Sequence, residues 1–143
     1  MSLGAMQHML KCSNLIAQNI EAVNQKAIED QMPKMIRANW DQLDQGKTNK
    51  DEPITPFYAP STAKRKGFNI PNLKETGDWR ESFDIDLRGD VFVWGASDYK
   101  DPLLRDKYGN DLQGLNEDNA DKQFLVINTK RNNYVERITK RYY

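Results

Sequence analysis

No glycine or proline interrupts the chain between Ala5 and Met32, and within that stretch apolar residues return at spacings of three and four. Met6, Met9, Cys12 or Ser13, Ile16, Ile20, Val23 and Ala27 therefore share one stripe of a helix, whose turn takes about 3.6 residues. Lys11, Asn14, Gln18, Glu21, Gln25 and Lys26 fall on the opposite side. The spacing predicts a helix over residues 3–31. So narrow a stripe suits packing on a sheet or on a copy of itself, and packing within the chain is the simpler reading. Pro33 lacks a backbone donor and crowds the preceding turn, which predicts a kink or a fresh start there. Met35 or Ile36, Trp40 and Leu43 continue an apolar face, so a second helix is expected over 33–45, with Gly46 as its C-cap.

Residues 47–73 have a different character. Pro53, Pro56, Pro60 and Pro71 deny hydrogen bonds to any sheet, and Phe57, Tyr58 and Phe68 lie among them. This predicts a long extended loop with one helical turn near 61–66. Loops of this length are usually functional or disordered, and the aromatic rings argue for docking on a surface.

From Trp79 onward the period falls to two. Phe83, Ile85 and Leu87 alternate with Asp84, Asp86 and Arg88, and after Gly89-Asp90 come Val91, Phe92, Val93 and Trp94. Two such runs across a two-residue, glycine-containing turn read as a β-hairpin. The second run is apolar on both faces, so helix one is expected on one face and a loop or partner on the other. Residues 96–122 read as a polar, mostly irregular stretch carrying Asp98, Asp101, Asp106, Asp111, Glu117, Asp118 and Asp121. The apolar run at 124–127 reads as a third strand. Asn128 or Thr129 would then cap a last helix presenting Tyr134, Val135 and Ile138. The fold expected is α+β: a long N-terminal helix packed on a small antiparallel sheet, with long loops and a C-terminal helix. At 143 residues it reads as one domain, with a helical part at 1–45, a proline-rich loop at 46–78 and the remainder at 79–143.

Composition narrows the function. With 21 basic and 21 acidic residues, bulk attraction to nucleic acid or to an anionic membrane is not expected. No apolar run is long enough to span a bilayer, and the N-terminus does not read as a secretory signal. Cys12 is the only cysteine, so no disulfide can form within the chain, and its place on the apolar stripe reads as packing. His8, the only histidine, would have to serve any nucleophile–histidine mechanism, and no serine or acid stands at a useful spacing from it. The run from Asp106 through Gly109 to Asp111 misses the ligand spacing of a calcium loop and reads as solvated. Arg88-Gly89-Asp90 spells a cell-adhesion tripeptide, but turn chemistry accounts for it. No phosphate-binding glycine loop or zinc pattern is present, and no catalytic residue, metal or cofactor is implied. Two basic clusters remain. One is Lys64-Arg65-Lys66. The other comprises Lys130, Arg131, Arg137, Lys140 and Arg141 beside Tyr134, Tyr142 and Tyr143, a mixture suited either to phosphates and bases or to a helix C-terminus.

The segment Leu73-Lys-Glu-Thr-Gly-Asp-Trp-Arg-Glu-Ser-Phe83 stands directly before the hairpin. It resembles the Leu-x-x-Thr-Gly-x-Leu-x-x-Ser signature of small phage tail-completion, head–tail connector and virion-morphogenesis proteins, with Trp79 in place of the aliphatic residue. The order of a long first helix, a loop, the Thr-Gly turn, antiparallel strands, and a late Phe124-Leu125 before a last helix is similar as well. The resemblance implies a structural, non-enzymatic component of the virion neck or tail, present in host cytoplasm during assembly. It implies a homo-oligomeric ring that contacts other neck or tail proteins and no membrane. Candidate contact residues are Phe57, Tyr58, Lys64 and Arg65 in the proline-rich loop, and Asp106, Tyr108 and Asp111 in the acidic stretch. Thr76, Gly77 and Gly89 are read as structural turn residues. The alternative is a DNA- or RNA-binding accessory protein acting through Lys130, Arg131, Arg137, Lys140 and Arg141. A hydrolase with a carboxylate site is the third reading, though no linear spacing proposes one.

Overall fold

The computed structural model describes residues 2–89 and 91–142, without the side chains of Ile16 and Tyr142. Expectations resting on Asp90, on Tyr143 and on those two side chains fall outside the described residues. The chain is α+β, with the order α1 (Leu3–Asp44), α2 (Pro60–Lys66), α3 (Asp78–Glu81), β1 (Phe83–Arg88), β2 (Val91–Ala96), α4 (Asp101–Tyr108) and α5 (Glu117–Tyr142). It divides into two compact units, one of Met1–Pro33 with Lys122–Tyr143 and one of Lys34–Asp121.

Pro33 lies inside α1 and does not separate two helices. Its missing donor costs about 3 kcal/mol in a helix interior. Side-chain contacts on each side hold the backbone helical in spite of that. Gln31 Nε2 donates to Gln123 Oε1 at 2.6 Å, and beyond the proline Asn39 Nδ2 donates to the Leu112 carbonyl at 3.1 Å.

In the first unit, early α1 and late α5 lie side by side. Gln31 Oε1 also accepts from Lys130 Nζ at 3.1 Å, and Tyr134, further along α5, reaches back to Asp30 at 3.4 Å, so the two helices run antiparallel. Cys12, Ala27 and Ile127 are buried. Residues 124–127 form no strand; they belong to α5. The reason is a cap placed earlier than expected. Asn116 Oδ1 accepts from the Asn119 N–H at 2.9 Å, the contact of an N-cap side chain with the third helical residue. Once the helix starts there, Ile127 turns inward and Leu125 and Val126 turn to solvent. Asn128 and Thr129 cap nothing, and Thr129 Oγ1 donates back to the Leu125 carbonyl at 2.9 Å in mid-helix.

The second unit holds a core of Leu43, Ile54, Trp79, Phe83 and Leu112, with Ile36, Trp40, Leu73, Ala96, Leu104 and Tyr108 packed around it. The last turns of α1 thus meet the sheet at Phe83. The sheet is an antiparallel pair with Phe83 opposite Ala96 and Arg88 opposite Val91. Along β1, Phe83 and Ile85 are buried and Asp84 and Asp86 exposed, as alternation requires. Only Ala96 of β2 packs against the core. The stretch 96–122 is not irregular throughout, because α4 occupies 101–108. Pro102 sits in its first turn, where a missing N–H is harmless, and Arg105 folds back on Asp101 at 2.8 Å.

Two polar devices tie this unit together. Gln42 Nε2 donates to the Gly114 carbonyl at 3.0 Å, and Gln42 Oε1 accepts from the Asn116 N–H at 2.9 Å and Asn119 Nδ2 at 2.7 Å. Arg80, only 3% exposed, donates to Asp44 Oδ1 at 2.7 Å and to the carbonyls of Asn72 and Trp40, while Trp40 Nε1 donates to the Arg80 carbonyl at 3.1 Å. Gly46 ends α1 as expected, with φ +70° and Lys47 N–H bonded to the Gln42 carbonyl at 2.9 Å.

A Cβ on Gly46 would collide with Ile70 Cγ2. Gly46→Ala is expected to lower the unfolding free energy by about 2–4 kcal/mol, combining left-handed strain with overpacking. Arg80→Met should cost a similar amount, about 2–4 kcal/mol, because it removes a buried guanidinium's bonds to two part-buried carbonyls and leaves Asp44 unpaired. Urea denaturation measures both; a loss below about 0.5 kcal/mol, the range of ordinary surface changes, would contradict either account.

Candidate functional site

Three local structures converge on one groove in the second unit. The first is the excursion around α2. Pro60 opens α2 and Gly67, at φ +84°, closes it. The Tyr58 N–H bonds the Asn69 carbonyl at 2.8 Å, and the Tyr58 and Phe68 rings lie 6.2 Å apart, so the two ends of the excursion meet. The expected helical turn is present, and the loop around it is ordered on its own contacts. The second is the Thr76-Gly77 turn. Gly77 adopts φ +86°, and Thr76 Oγ1 accepts from the Asp78 N–H at 3.4 Å, which starts α3 and drives Trp79 inward. The third is α4, fastened by Trp79 Nε1 donating to Asp101 Oδ1 at 3.0 Å. Trp79 also meets the Phe83 ring edge-on at 4.7 Å.

The groove has a volume of about 390 Å³. It is lined by Phe57, Tyr58, Arg65 and Lys66 of the α2 excursion, by Thr76, Gly77 and Trp79 at the turn, and by Lys100, Leu104, Lys107 and Tyr108 in or beside α4. Four cations line it against one carboxylate, Glu75, which lies 3.9 Å from Arg65. Lys66 Nζ stands 4.7 Å from the centre of the Tyr58 ring and 3.2 Å from its hydroxyl. Lys107 Nζ stands 5.3 Å from the centre of the Tyr108 ring, and Lys100 Nζ lies 3.5 Å from Thr76 Oγ1. Ammonium groups over ring faces are held by the ring quadrupole and keep donors to spare.

Of the contact residues expected from sequence, Phe57, Tyr58, Arg65 and Tyr108 meet at this groove. Lys64 and Asp106 are exposed on α2 and α4 and do not line it. Asp111 lies elsewhere, paired with Lys50 at 3.2 Å. Lys100 and Lys107 escaped the sequence reading. Positions 100, 104, 107 and 108 share one helical face, a pattern hidden while that stretch was read as irregular.

The basic residues of α5 belong to the first unit. Lys130 bonds Gln31, Lys140 pairs with Glu136 at 3.0 Å, and Arg137 stacks 5.9 Å from the Tyr134 ring centre. Arg131 and Arg141 are exposed. Gly89 turns the hairpin with φ +59°. Cys12 Sγ and His8 Nε2 lie 3.5 Å apart across one helical turn, a pairing readable from their i, i+4 spacing. Thiol catalysis needs more than such a pair. Cys12 is 3% exposed, and the amide groups beside it are spent within α1, so no donors stand ready for an oxyanion. Among the described residues, no three His, Cys, Asp or Glu side chains gather as metal ligands. No family model matches this chain, and no match to a curated protein or to a solved structure is found.

Gly77→Ala tests the turn that seats Trp79 in the groove. The nearest atom to an added Cβ is Glu81 Oε1 at 3.8 Å, so crowding is absent and only the left-handed backbone resists. A loss of about 1–2 kcal/mol is expected, and an unchanged urea midpoint would contradict the role given to this turn.

Proposed function

We propose that the chain is a structural virion component of the neck or tail, acting by self-assembly and by contacts with other neck or tail proteins. One observation carries this reading. The first turns of α1 present Leu3, Met6, Met9 and Leu10 to solvent, with Leu3 71% and Leu10 63% exposed. Leu3, Met6 and Leu10 share one helical face by their spacing of three and four. Clustered large apolar side chains on a surface mark sites of association, and a second copy of the same helix supplies the matching face. The likeness of residues 73–83 to the phage signature supports the same reading, as does the order of long helix, loop, Thr-Gly turn, hairpin and last helix. A face that meets its own copy closes a two-fold pair, and a ring needs in addition a different patch on each copy that meets the next.

The nucleic-acid reading retains one favourable observation, the exposed Arg131, Arg137, Lys140 and Arg141 on α5. The two readings part on salt. Binding through phosphates weakens steeply as salt rises, whereas apolar association does not.

Light scattering across a salt series tests the proposal. A discrete oligomer that persists in salt is expected, and Met6→Asp with Leu10→Asp should reduce it to monomer while leaving the helical signal intact. An oligomer unaffected by those substitutions would remove the helix face from the argument. A monomer that ignores neck and tail proteins but binds oligonucleotides at low salt would reverse the assignment in favour of nucleic acid.

A further inference from the structure

We infer that the groove between α2 and α4 is a docking site for a short acidic segment of a partner protein. The chain as a whole is neutral, with 21 residues of each sign, yet the groove gathers four cations against one carboxylate. Charge of one sign drawn into a concave surface concentrates its field on whatever enters. Two of the cations, Arg65 and Lys66, come from α2 and two, Lys100 and Lys107, from or beside α4.

Size and arrangement favour a peptide over a nucleic-acid strand. A volume of about 390 Å³ is near the lower end for ligand sites, enough for a few side chains. The four cations line one small hollow, whereas single-strand binding follows the backbone through an extended charged groove. Leu73, Leu104 and the half-exposed Phe57 ring supply apolar contact between the charges. A segment with carboxylates flanking a leucine or an aromatic residue fits this alternation. The carboxylates would meet lysine donors, and the apolar side chain would rest on Leu104 and Phe57. Glu75 opposes such a ligand, and its bond to Arg65 also engages one of the four cations. This inference stands on the groove alone and holds whether or not the chain assembles with copies of itself.

The full-length protein is titrated by calorimetry with the synthetic peptide Asp-Glu-Leu-Tyr-Asp-Glu, and in parallel with oligothymidylate of equal charge and with inorganic phosphate. Saturable peptide binding that weakens with salt is expected, with phosphate and oligothymidylate weaker. The double variant Lys100→Glu, Lys107→Glu should raise the peptide Kd by roughly tenfold or more, the loss of complementary charge in and beside α4. Glu75→Gln should lower it. Both changes are at surface side chains, and circular dichroism checks that each variant is folded. No peptide binding, binding indifferent to the lysine reversal, or tighter binding of oligothymidylate or phosphate would each overturn the inference.

Discussion

The second unit depends on one buried cation. Arg80 projects from a one-turn helix into the space between the end of α1 and the loop before the Thr76-Gly77 turn. Its two terminal nitrogens reach Asp44, the Trp40 carbonyl and the Asn72 carbonyl, while Nε is buried without a partner. A buried charge is tolerated only when its donors are answered, and guanidinium, planar and many-pronged, can answer several acceptors at once. Asp44 is half exposed, so the ion pair is partly screened, and the bonds to carbonyls matter at least as much. The return bond from Trp40 Nε1 to the Arg80 carbonyl makes the link reciprocal. α1, α3 and the intervening loop are thereby held in one arrangement, and Trp79, the residue before Arg80, is fixed in the lining of the groove.

A second polar link joins α1 to the segment before α5. Asn39 and Gln42 sit on the buried face of α1, where a simple apolar stripe would carry leucine, and they satisfy backbone groups between Leu112 and Asn116. A loop buried against a helix needs such partners, because its own amides and carbonyls have no ladder. Asn49 adds a bond to the Gln113 carbonyl at 2.9 Å from the other side. Loop burial of this kind explains how a chain with only 38% apolar residues can still close a core: part of the interior is amide rather than hydrocarbon.

The surface follows from these constraints. With α2 closed on itself and α4 pinned through Asp101, their cationic sides face one hollow. In the other unit, the first turns of α1 carry more apolar side chains than the described chain covers. The proposed assembly role and the proposed acidic ligand therefore draw on different surfaces and different forces, apolar burial in one case and charge complementarity in the other.

Much of this was legible in the sequence. Spacing along 5–32 identified α1, alternation from Phe83 identified the hairpin, and Gly46, Gly77 and Gly89 marked turns because each needs a backbone that other residues resist. Phe57, Tyr58, Arg65 and Tyr108 stand out as contact residues in the sequence, and the fold brings them to one groove. The errors share a cause. Pro33 predicts a kink or a fresh helix start, residues 124–127 a strand and 96–122 a mostly irregular stretch, all on local preference. Local preference amounts to about one kcal/mol or less per ordinary residue and about three for proline, and tertiary contacts outweigh it. Gln31, Asn39 and Gln42 carry α1 past its proline, and Asn116 starts α5 before the apolar run begins. By itself the sequence determined which stretches repeat with helical or strand period and where the backbone must turn. Only the tertiary structure decided where helices begin and end, which polar side chains are buried and which cations share a groove, because those depend on partners distant along the chain.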